Sequence, residues 1–356
     1  MNSIVGRIKS IRQEALKSRV KLENEQLEYP ISFWTKKDRL IHEIGKEFTV
    51  ILRTKGCSWA LSESGGCSMC GYIQDANIEQ VSAAQIISQL SHAFNKKISE
   101  INEGSDNYVL KIFNSGSFFD ENEVSEKVRR FIYEKIAKIE NIKEFVIESR
   151  CEYITSEKLE ELREILNNKY VEVAIGLETV NDYIRNNYIN KGLLFNDFKD
   201  TFRRCKAQGI GIKAYLLFKP PFLNEQAAID DCSNSIKVLT NLKINSISIN
   251  PLNIQKGTLI ENLWYKKKYR PPWFYSLFKC LKKSLTQNNL DKIRILSDPS
   301  AAGTKRGIHN CFRRECENSA KNMLKEFILS QDLKKLEEGE FNCICKKKYQ
   351  LQKTYS

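Results

Sequence analysis

Six short apolar runs recur between residues 48 and 250, and each is followed by a longer segment whose apolar positions have helical spacing. Segment 124–139, VSEKVRRFIYEKIAKI, is one of these, with apolar residues three or four positions apart. Runs that stay apolar without alternating with polar residues are typical of strands buried on both faces. The pattern therefore predicts a parallel sheet covered by helices. The predicted strands are 48–54, 108–113, 144–149, 170–176, 212–218 and 244–250.

Curled on itself, this sheet is a partial six-stranded (β/α) barrel of the α/β class, and a doubly wound open sheet is the alternative. Residues 48–255 are the predicted barrel. Residues 1–47 are predicted to be an N-terminal helical extension, and residues 256–356 a small C-terminal module that is basic and contains cysteines. Segment 292–298 of that module is a candidate seventh strand. Functional residues of such barrels lie at the C-terminal ends of the strands.

The length of 356 residues and the hydrophobic content of 41% allow one large domain and a small one. The chain has no apolar run long enough to cross a bilayer and no apolar core of a signal peptide near its start, so we expect a cytoplasmic protein with no membrane attachment. In that reducing compartment, its 11 cysteines are better interpreted as metal ligands than as disulfides. Four cysteines without paired spacing are predicted to be small buried hydrophobic residues: Cys151, Cys205, Cys232 and Cys280.

Three cysteines follow the first predicted strand in a glycine-rich loop, Cys57, Cys67 and Cys70. Three thiolates can bind three irons of a 4Fe–4S cluster and leave the fourth iron open to the amino and carboxylate groups of S-adenosylmethionine (SAM). A zinc site is the alternative, because a Cys-x2-Cys pair by itself is typical of zinc. The third cysteine and the glycines of the loop favour the cluster.

Four more cysteines form two pairs near the C-terminus, Cys311 with Cys316 and Cys343 with Cys345. Two such pairs brought together give the tetrahedral thiolate coordination of a structural Zn²⁺ site, with His309 as an alternate ligand. The metal would supply folding energy to a small module that has little core of its own. A second iron–sulfur cluster and free thiols are the alternatives.

The chain carries a formal net charge of +13, which favours a polyanionic partner, nucleic acid before an anionic membrane. The alternative is a coding bias toward lysine. Segment 264–275, WYKKKYRPPWFY, combines lysines that can neutralise phosphates with rings that can stack on unpaired bases. Lys266, Lys267, Lys268 and Arg270 are therefore predicted RNA contacts, although a solvated charged face over a core of aromatic residues has the same pattern.

Segment 46–72, KEFTVILRTKGCSWALSESGGCSMCGY, resembles radical SAM enzymes of the Elongator catalytic-subunit-like branch, and resembles more closely still the archaeal radical SAM subunit of archaeosine synthase. RGIHNC at 306–311 and the terminal Cys-x-Cys make this resemblance more specific. It covers about residues 46–345, most of the chain. The other segments that carry it are 113–120, 146–155, 215–229 and 249–264.

Polar residues at the predicted strand ends are candidates for binding SAM. A carboxylate such as Glu148 can hold ribose hydroxyls and Arg150 can pair with a carboxylate, although a Glu148–Arg150 ion pair is the alternative. The resemblance implies that residues 114–117 bind the amino group of SAM, and an ordinary turn uses the same residue types. The predicted SAM contacts are Met69 and Tyr72 against the adenine, Asn114, Ser115, Gly116, Ser117, Glu148, Arg150 and Glu178.

The resemblance implies a radical SAM enzyme that modifies tRNA. A partner subunit would attach lysine to a 7-cyano-7-deazaguanine base, and this enzyme, supplied by an electron donor protein, would break the lysine C–N bond and leave archaeosine. No catalytic residue is predicted beyond the cluster-bound SAM. The alternatives are a radical SAM enzyme acting on another RNA, a protein or a small molecule, and a zinc-containing RNA-binding protein without catalysis.

Overall fold

The computed structural model describes residues 4–17, 19, 21–337 and 343–354. In these residues eight strands form one sheet in chain order, with the first pair antiparallel and every later pair parallel. The strands are β1 (Ser32–Arg39), β2 (Ile44–Ile51), β3 (Tyr108–Phe113), β4 (Ile142–Glu148), β5 (Tyr170–Glu178), β6 (Gly211–Phe218), β7 (Ser246–Pro251) and β8 (Arg294–Leu296). All six predicted strands are confirmed as β2 to β7, and the candidate seventh as β8.

Helices connect the parallel strands and continue beyond them. They are α1 (Ile4–Lys17), α2 (Ser58–Leu61), α3 (Ala83–Glu103), α4 (Glu126–Ala137), α5 (Ser156–Ile165), α6 (Phe195–Ala207), α7 (Glu225–Leu242), α8 (Leu259–Tyr265), α9 (Phe274–Ser284), α10 (Gln287–Leu290), α11 (Arg314–Ser330), α12 (Lys334–Glu337) and α13 (Cys345–Gln352). Short 3₁₀ turns lie at Asn24–Glu28, Tyr72–Gln74 and Cys151–Tyr153, and a π turn lies at Ile184–Tyr188. None of the described helices is long and apolar enough to cross a membrane.

The main hydrophobic core lies between the outer face of the sheet and the helices. Alternate strand residues point to opposite faces, and outward residues such as Leu110, Ile147 and Val173 are fully buried in this core. Replacing Leu110 with alanine would cost about 2–5 kcal/mol of unfolding free energy. Helix packing on this face therefore fixes the positions of the strand ends.

The two edge strands approach one another, so the sheet is curled. The guanidinium of Arg294 on β8 donates to the carbonyl oxygen of Arg39 on β1 at 3.2 Å. Lys36 on β1 forms an ion pair with Asp298, just after β8, at 2.5 Å. The predicted partial barrel is confirmed, and an open doubly wound sheet is wrong. The sheet has eight strands instead of the predicted six. One of the two additional strands is the candidate β8, and the other, β1, was not predicted because its sequence SFWTKKDR lacks an apolar run.

Charged side chains fill the interior near the N-terminal ends of the strands. Arg294 donates to Glu144 at 2.7 Å and to Glu172 at 2.5 Å, and Lys111 pairs with Asp38 at 2.6 Å. Removing one partner of a buried pair leaves an uncompensated charge and costs about 3–5 kcal/mol. Since this end of the barrel is occupied by protein, the space for a ligand lies at the C-terminal ends of the strands.

Both predicted flanking segments contribute a strand to the sheet. Residues 1–47 hold α1, but also β1 and the start of β2, so they are more than a helical extension. Residues 256–356 supply β8 as well as the helices of the C-terminal module. The domain boundaries at residues 47 and 255 stay a prediction.

Candidate active site and metal centre

The loop of the three cysteines follows β2, at the C-terminal edge of the sheet. Cys57 caps the short helix α2, and the backbone N–H of Cys70 donates to the carbonyl of Cys67 at 3.3 Å. Burial raises the pKa of the Cys67 thiol to about 12; nearby Lys191 opposes this, and the neighbouring Cys70 and Cys57 add to it. The three half-buried thiols therefore lie close enough to influence one another, and a bound cation would be needed to favour their thiolate forms.

An arginine of the N-terminal helix holds this loop from one side. Arg12 on α1 is only 3% exposed, and its Nε donates to the carbonyl of Gly65 at 3.1 Å. Its Nη2 donates to the carbonyls of Cys67 at 3.3 Å and Cys70 at 2.6 Å. The sequence analysis missed Arg12, because a lone arginine in a polar helix gives no sign of what it contacts more than fifty residues away.

The segment after β5 holds the loop from the other side. Ser68, between two of the cysteines, donates its N–H to the carbonyl of Ile189 and its Oγ to the carbonyl of Tyr188, both at 2.8 Å. The Nδ2 of Asn190 donates to the carbonyl of Gly66 at 2.8 Å. The loop is thus held on one face by the side chain of Arg12 and on the other by the backbone and the Asn190 side chain of the segment after β5, which gives the rigidity that a cofactor site needs.

Arg150, predicted to contact SAM, is bonded to this second support. Its Nη1 donates to the carbonyl of Lys191 at 3.0 Å and its Nη2 to that of Gly192 at 3.2 Å. Its ion pair is with Glu152, at 2.5 Å, so the alternative pair with Glu148 is wrong. In this arrangement Arg150 positions the loop.

Two buried carboxyl groups lie where β4 and β5 end. Burial raises the pKa of Glu148 to about 7, although a hydrogen bond with Tyr215 opposes the increase. Glu178 has a left-handed backbone, with φ of 66°, and forms an ion pair with Lys191 at 2.8 Å. Within the described residues, Glu178 therefore has an ion-pair partner and Glu148 has none.

A glutamate that the sequence analysis missed organises the segment after β3. The carboxylate of Glu123 accepts from the N–H of Ser117 at 2.7 Å, from Asn114 Nδ2 at 2.8 Å and from Thr54 Oγ1 at 2.9 Å. A Cβ at Gly116 would lie 1.9 Å from Glu123 Oε1, so only glycine fits there. The segment 114–117 is thus an organised turn, pinned by one carboxylate.

The remaining predicted contacts lie on or beside the cysteine loop. Met69 packs against a small apolar cluster that includes Ile189. Tyr72 is exposed over 53% of its surface. Beside it, the N–H of Gly71 donates to Oε1 of Gln255 at 2.5 Å, which joins the loop to the segment after β7.

Three polar atoms around this site are buried and have no hydrogen-bond partner within the described residues. They are Arg12 Nη1, Asn114 Oδ1 and Ser149 Oγ. An unpaired buried polar group costs about 1–3 kcal/mol, and such groups call for an explanation in a native structure. Together with three thiols, these donors and acceptors fit a polar ligand and an iron–sulfur cluster.

The four C-terminal cysteines meet in space. The Sγ atoms of Cys311, Cys316, Cys343 and Cys345 all lie within 4.8 Å of one another. Two of the Sγ pairs are 3.7 and 3.9 Å apart. A tetrahedral ion with Zn–S bonds of about 2.3 Å requires thiolates about 3.8 Å apart. The group could therefore hold a single metal ion, and a larger cluster of several irons would need wider spacing.

His309, the predicted alternate ligand, is not part of this group. Its Nδ1 lies 2.7 Å from the carbonyl oxygen of Gly307, and its ring stacks on Phe312. Glu317 instead organises the approach to the metal group, since its Oε1 accepts from the N–H groups of Asn310 at 2.7 Å and Cys311 at 2.8 Å. Four thiols alone thus form the candidate centre.

The predicted RNA contacts separate into two kinds. Lys266, Lys267 and Lys268 are exposed directly after α8. Arg270 is half-buried and donates to the carbonyls of His309 and Asn310, both at 3.0 Å, so it supports the metal module, and its contact with RNA stays a prediction. Of the aromatic residues nearby, Tyr269, Trp273 and Phe274 are buried, whereas Tyr265 is 66% exposed.

The four unpaired cysteines behave as predicted. Each of them is buried in the hydrophobic core: Cys151, Cys205, Cys232 and Cys280. They lie away from both cysteine groups along the chain, on helices and turns of the barrel. This leaves seven cysteines for the two candidate centres.

No family model matches the chain. It is 36% identical over 328 residues to archaeosine synthase subunit beta of Methanosarcina acetivorans, with 92% of this chain and 91% of that protein covered. It is 38% identical over 313 residues to archaeosine synthase subunit beta of Thermococcus kodakarensis, with 88% and 94% covered. Among solved structures, it is similar to Elp3 of Methanocaldococcus infernus lacking its N-terminus, with a TM-score of 0.47, 12% identity, and 68% of this chain and 59% of that chain covered. The two relatives confirm the resemblance that the cysteine motifs indicate.

Proposed function

Since the chain belongs to the archaeosine synthase subunit beta family, we propose that it is a radical SAM enzyme that modifies tRNA. Its substrate is the lysine-modified 7-cyano-7-deazaguanine base, and it breaks the lysine C–N bond to leave the formamidine group of archaeosine. The observation that carries the radical SAM assignment is the loop of Cys57, Cys67 and Cys70, whose half-buried thiols are held between Arg12 and the segment after β5.

The residues of the barrel mouth have separate tasks in this proposal. The three thiolates hold a 4Fe–4S cluster, and Asn114 Oδ1 and Ser149 Oγ offer the polar groups of SAM an acceptor and a hydroxyl. When bound, the cluster supplies the electron that cleaves SAM and so starts hydrogen abstraction from the lysine portion of the base. Glu148 offers a carboxyl group to the ribose. Arg150 and Glu123 fix the loops on which these contacts depend.

The C-terminal module holds Zn²⁺ in this proposal. The support is the Sγ spacing of 3.7 and 3.9 Å, which suits one tetrahedral ion. The ion joins the segment after Asn310 to α13, two parts of the chain about thirty residues apart. A second iron–sulfur cluster needs wider spacing than these thiols have.

The partners follow from the same assignment. Both relatives are named as a beta subunit, which implies a second subunit in those enzymes. We propose a lysine-transferring subunit as the partner of this chain. An electron donor protein and a cytoplasmic location complete the proposal. Lys266, Lys267 and Lys268 form the lysine patch, which we propose binds the phosphates of tRNA.

The reaction is tested directly by anaerobic incubation of the reconstituted protein with SAM, a reductant and tRNA that carries the lysine-modified base. Nucleoside mass spectrometry is expected to detect archaeosine, with one 5′-deoxyadenosine formed for each base converted. The matched control is the same tRNA without lysine. If 5′-deoxyadenosine forms but the lysine-modified base is unchanged, the radical SAM class stands and this substrate is wrong.

The lysine patch makes a separate prediction. Replacing Lys266, Lys267 and Lys268 together with Ser is expected to weaken tRNA binding, because each phosphate contact releases condensed counterions. The slope of log affinity against log salt concentration should fall by about 1 for each lysine that contacts a phosphate. Fluorescence anisotropy of labelled tRNA at several salt concentrations measures both effects.

The matched control removes three exposed lysines on or next to the outer helices α3 and α4, namely Lys96, Lys127 and Lys138. Both variants change the net charge equally, so a general electrostatic effect would weaken binding in both. Equal weakening in the control variant would contradict the assignment of tRNA binding to the patch. Uncoupled SAM cleavage should stay unchanged in both variants.

A further inference from the structure

Two exposed aromatic side chains and a half-buried ring between them form one group at the mouth of the barrel. The ring of Tyr188 lies 5.6 Å from that of Tyr183 and 5.4 Å from that of Phe222, between ring centroids. Tyr183 is 63% exposed and Phe222 is 48% exposed. We call Tyr183, Tyr188 and Phe222 the aromatic platform. The proposed function gives none of these rings a task.

The backbone of the platform is held in uncommon conformations. Tyr188 closes the π turn Ile184–Tyr188, a type of turn that is rare and is found frequently at functional sites. Phe222 has a φ of 69°, in the left-handed region that bulky residues rarely adopt. Folding alone would favour a small residue or glycine at position 222. A large ring kept exposed in such a conformation points to a ligand.

The platform is connected directly to the cysteine loop. The carbonyl of Tyr188 accepts from Ser68 Oγ at 2.8 Å, and Ser68 lies between Cys67 and Cys70. The carbonyl of Ser68 accepts in turn from the N–H of Ile260, on α8, at 3.3 Å. Helix α8 leads into the lysine patch, so Ser68 stands between the platform and the lysines.

A second connection joins the same two surfaces. The hydroxyl of Tyr269, one residue beyond the lysine patch, donates to the carbonyl of Lys219 at 2.7 Å. Lys219 is three residues before Phe222 and is itself fixed by an ion pair with Glu225 at 2.7 Å. The lysines and the rings are therefore held in a fixed relation to each other and to the cysteine loop.

We propose that the aromatic platform stacks against an unpaired nucleobase of the RNA substrate while the lysine patch binds neighbouring phosphates; this rests on the proposed function. Every base has a π face, so an exposed ring gives a contact that tolerates sequence. Bases of an RNA duplex are already stacked, so the occupant is a base in a loop or one turned out of a helix. Its position beside the cysteine loop brings the nucleotides around it to the site of the reaction.

The test replaces two exposed rings, in the double variant Tyr183→Ala with Phe222→Ala. Neither Tyr183 nor Phe222 is one of the residues proposed to bind SAM, so uncoupled SAM cleavage is expected to stay unchanged. Binding of a tRNA transcript is expected to weaken about 5- to 100-fold, the range for loss of a stacked base. The salt dependence should keep its slope, because no phosphate contact is lost. This separates the platform from the lysine patch.

A second readout detects stacking itself. A single-stranded RNA that carries one 2-aminopurine should lose fluorescence on binding the parent protein and lose much less on binding the double variant. Tyr183→Phe, which keeps the ring, should behave as the parent does. Tyr29→Ala is the matched control, since Tyr29 is 53% exposed and its ring contacts His92 on the outer helix α3.

Three results would overturn the inference, and they differ from one another. If the double variant binds tRNA and quenches 2-aminopurine as the parent does, the platform is wrong while the proposed function stands. If the double variant keeps RNA binding but loses binding of a partner protein, the platform is a protein-docking surface instead. If the parent itself binds neither RNA, the proposed function fails, and the platform fails with it.

Discussion

Replacing any one of Cys57, Cys67 and Cys70 with Ala is expected to reduce 5′-deoxyadenosine formation from SAM below detection. Three thiolates hold the cluster in the proposed site, and a cluster that loses one protein ligand exposes a further iron to solvent. Iron content after anaerobic reconstitution should fall from about four per chain toward zero in the triple variant. The thiolate-to-iron absorbance that colours such proteins should disappear with it.

The matched control for this experiment is Cys205→Ala, which removes a buried thiol from α6 and leaves the loop untouched. It should keep its iron and its SAM cleavage. Circular dichroism should show that the barrel stays folded in every variant, because the main hydrophobic core does not include the three cysteines, and Cys57 and Cys67 pack only against small clusters beside it. Full iron content and undiminished 5′-deoxyadenosine in the triple alanine variant would refute the ligand assignment.

Removal of the C-terminal metal is expected to destabilise its module strongly. Replacing Cys316 and Cys345 with Ala should abolish zinc binding, because two thiols cannot complete a closed tetrahedral site. Loss of a structural metal belongs to the few changes that cost about 4 kcal/mol or more of unfolding free energy. A bound ion would hold together the two parts of the small buried cluster around the site, which contains Trp273 and Tyr349.

The zinc measurement is cleanest in a protein that lacks all three cysteines of the barrel loop, since no iron then competes. Metal analysis of that protein should find about one zinc per chain, and a chelator should lower its melting temperature. Cys151→Ala, added to this protein as a control, should leave the zinc content unchanged. Absence of zinc, with a melting temperature that the chelator does not change, would refute the structural site.

The sequence by itself determined the features that have a local pattern. An apolar run of six to nine residues is buried wherever it packs, so β2 to β7 could be predicted from the runs alone. Spacing likewise predicted both cysteine groups, because cysteines a few residues apart can bind one metal, but the meeting of the two C-terminal pairs depends on the fold. The resemblance carried by these motifs gave the family, which the two curated relatives confirm.

Only the tertiary structure decided which side chains surround those groups. The contacts of Arg12 with the cysteine loop join residues 53 to 58 positions apart, and those of Ser68 with Tyr188 span 120 positions. No local pattern records such a contact, because its energy depends on where the fold brings two distant segments. The contacts of Arg270 could not be predicted for the same reason. In the sequence it is one more cation beside three lysines, but in the folded chain it donates to two carbonyls of the metal module. The sequence therefore predicted β2 to β7 and the two cysteine groups, whereas long-range packing alone decided which charged residues are held by the fold and which remain exposed.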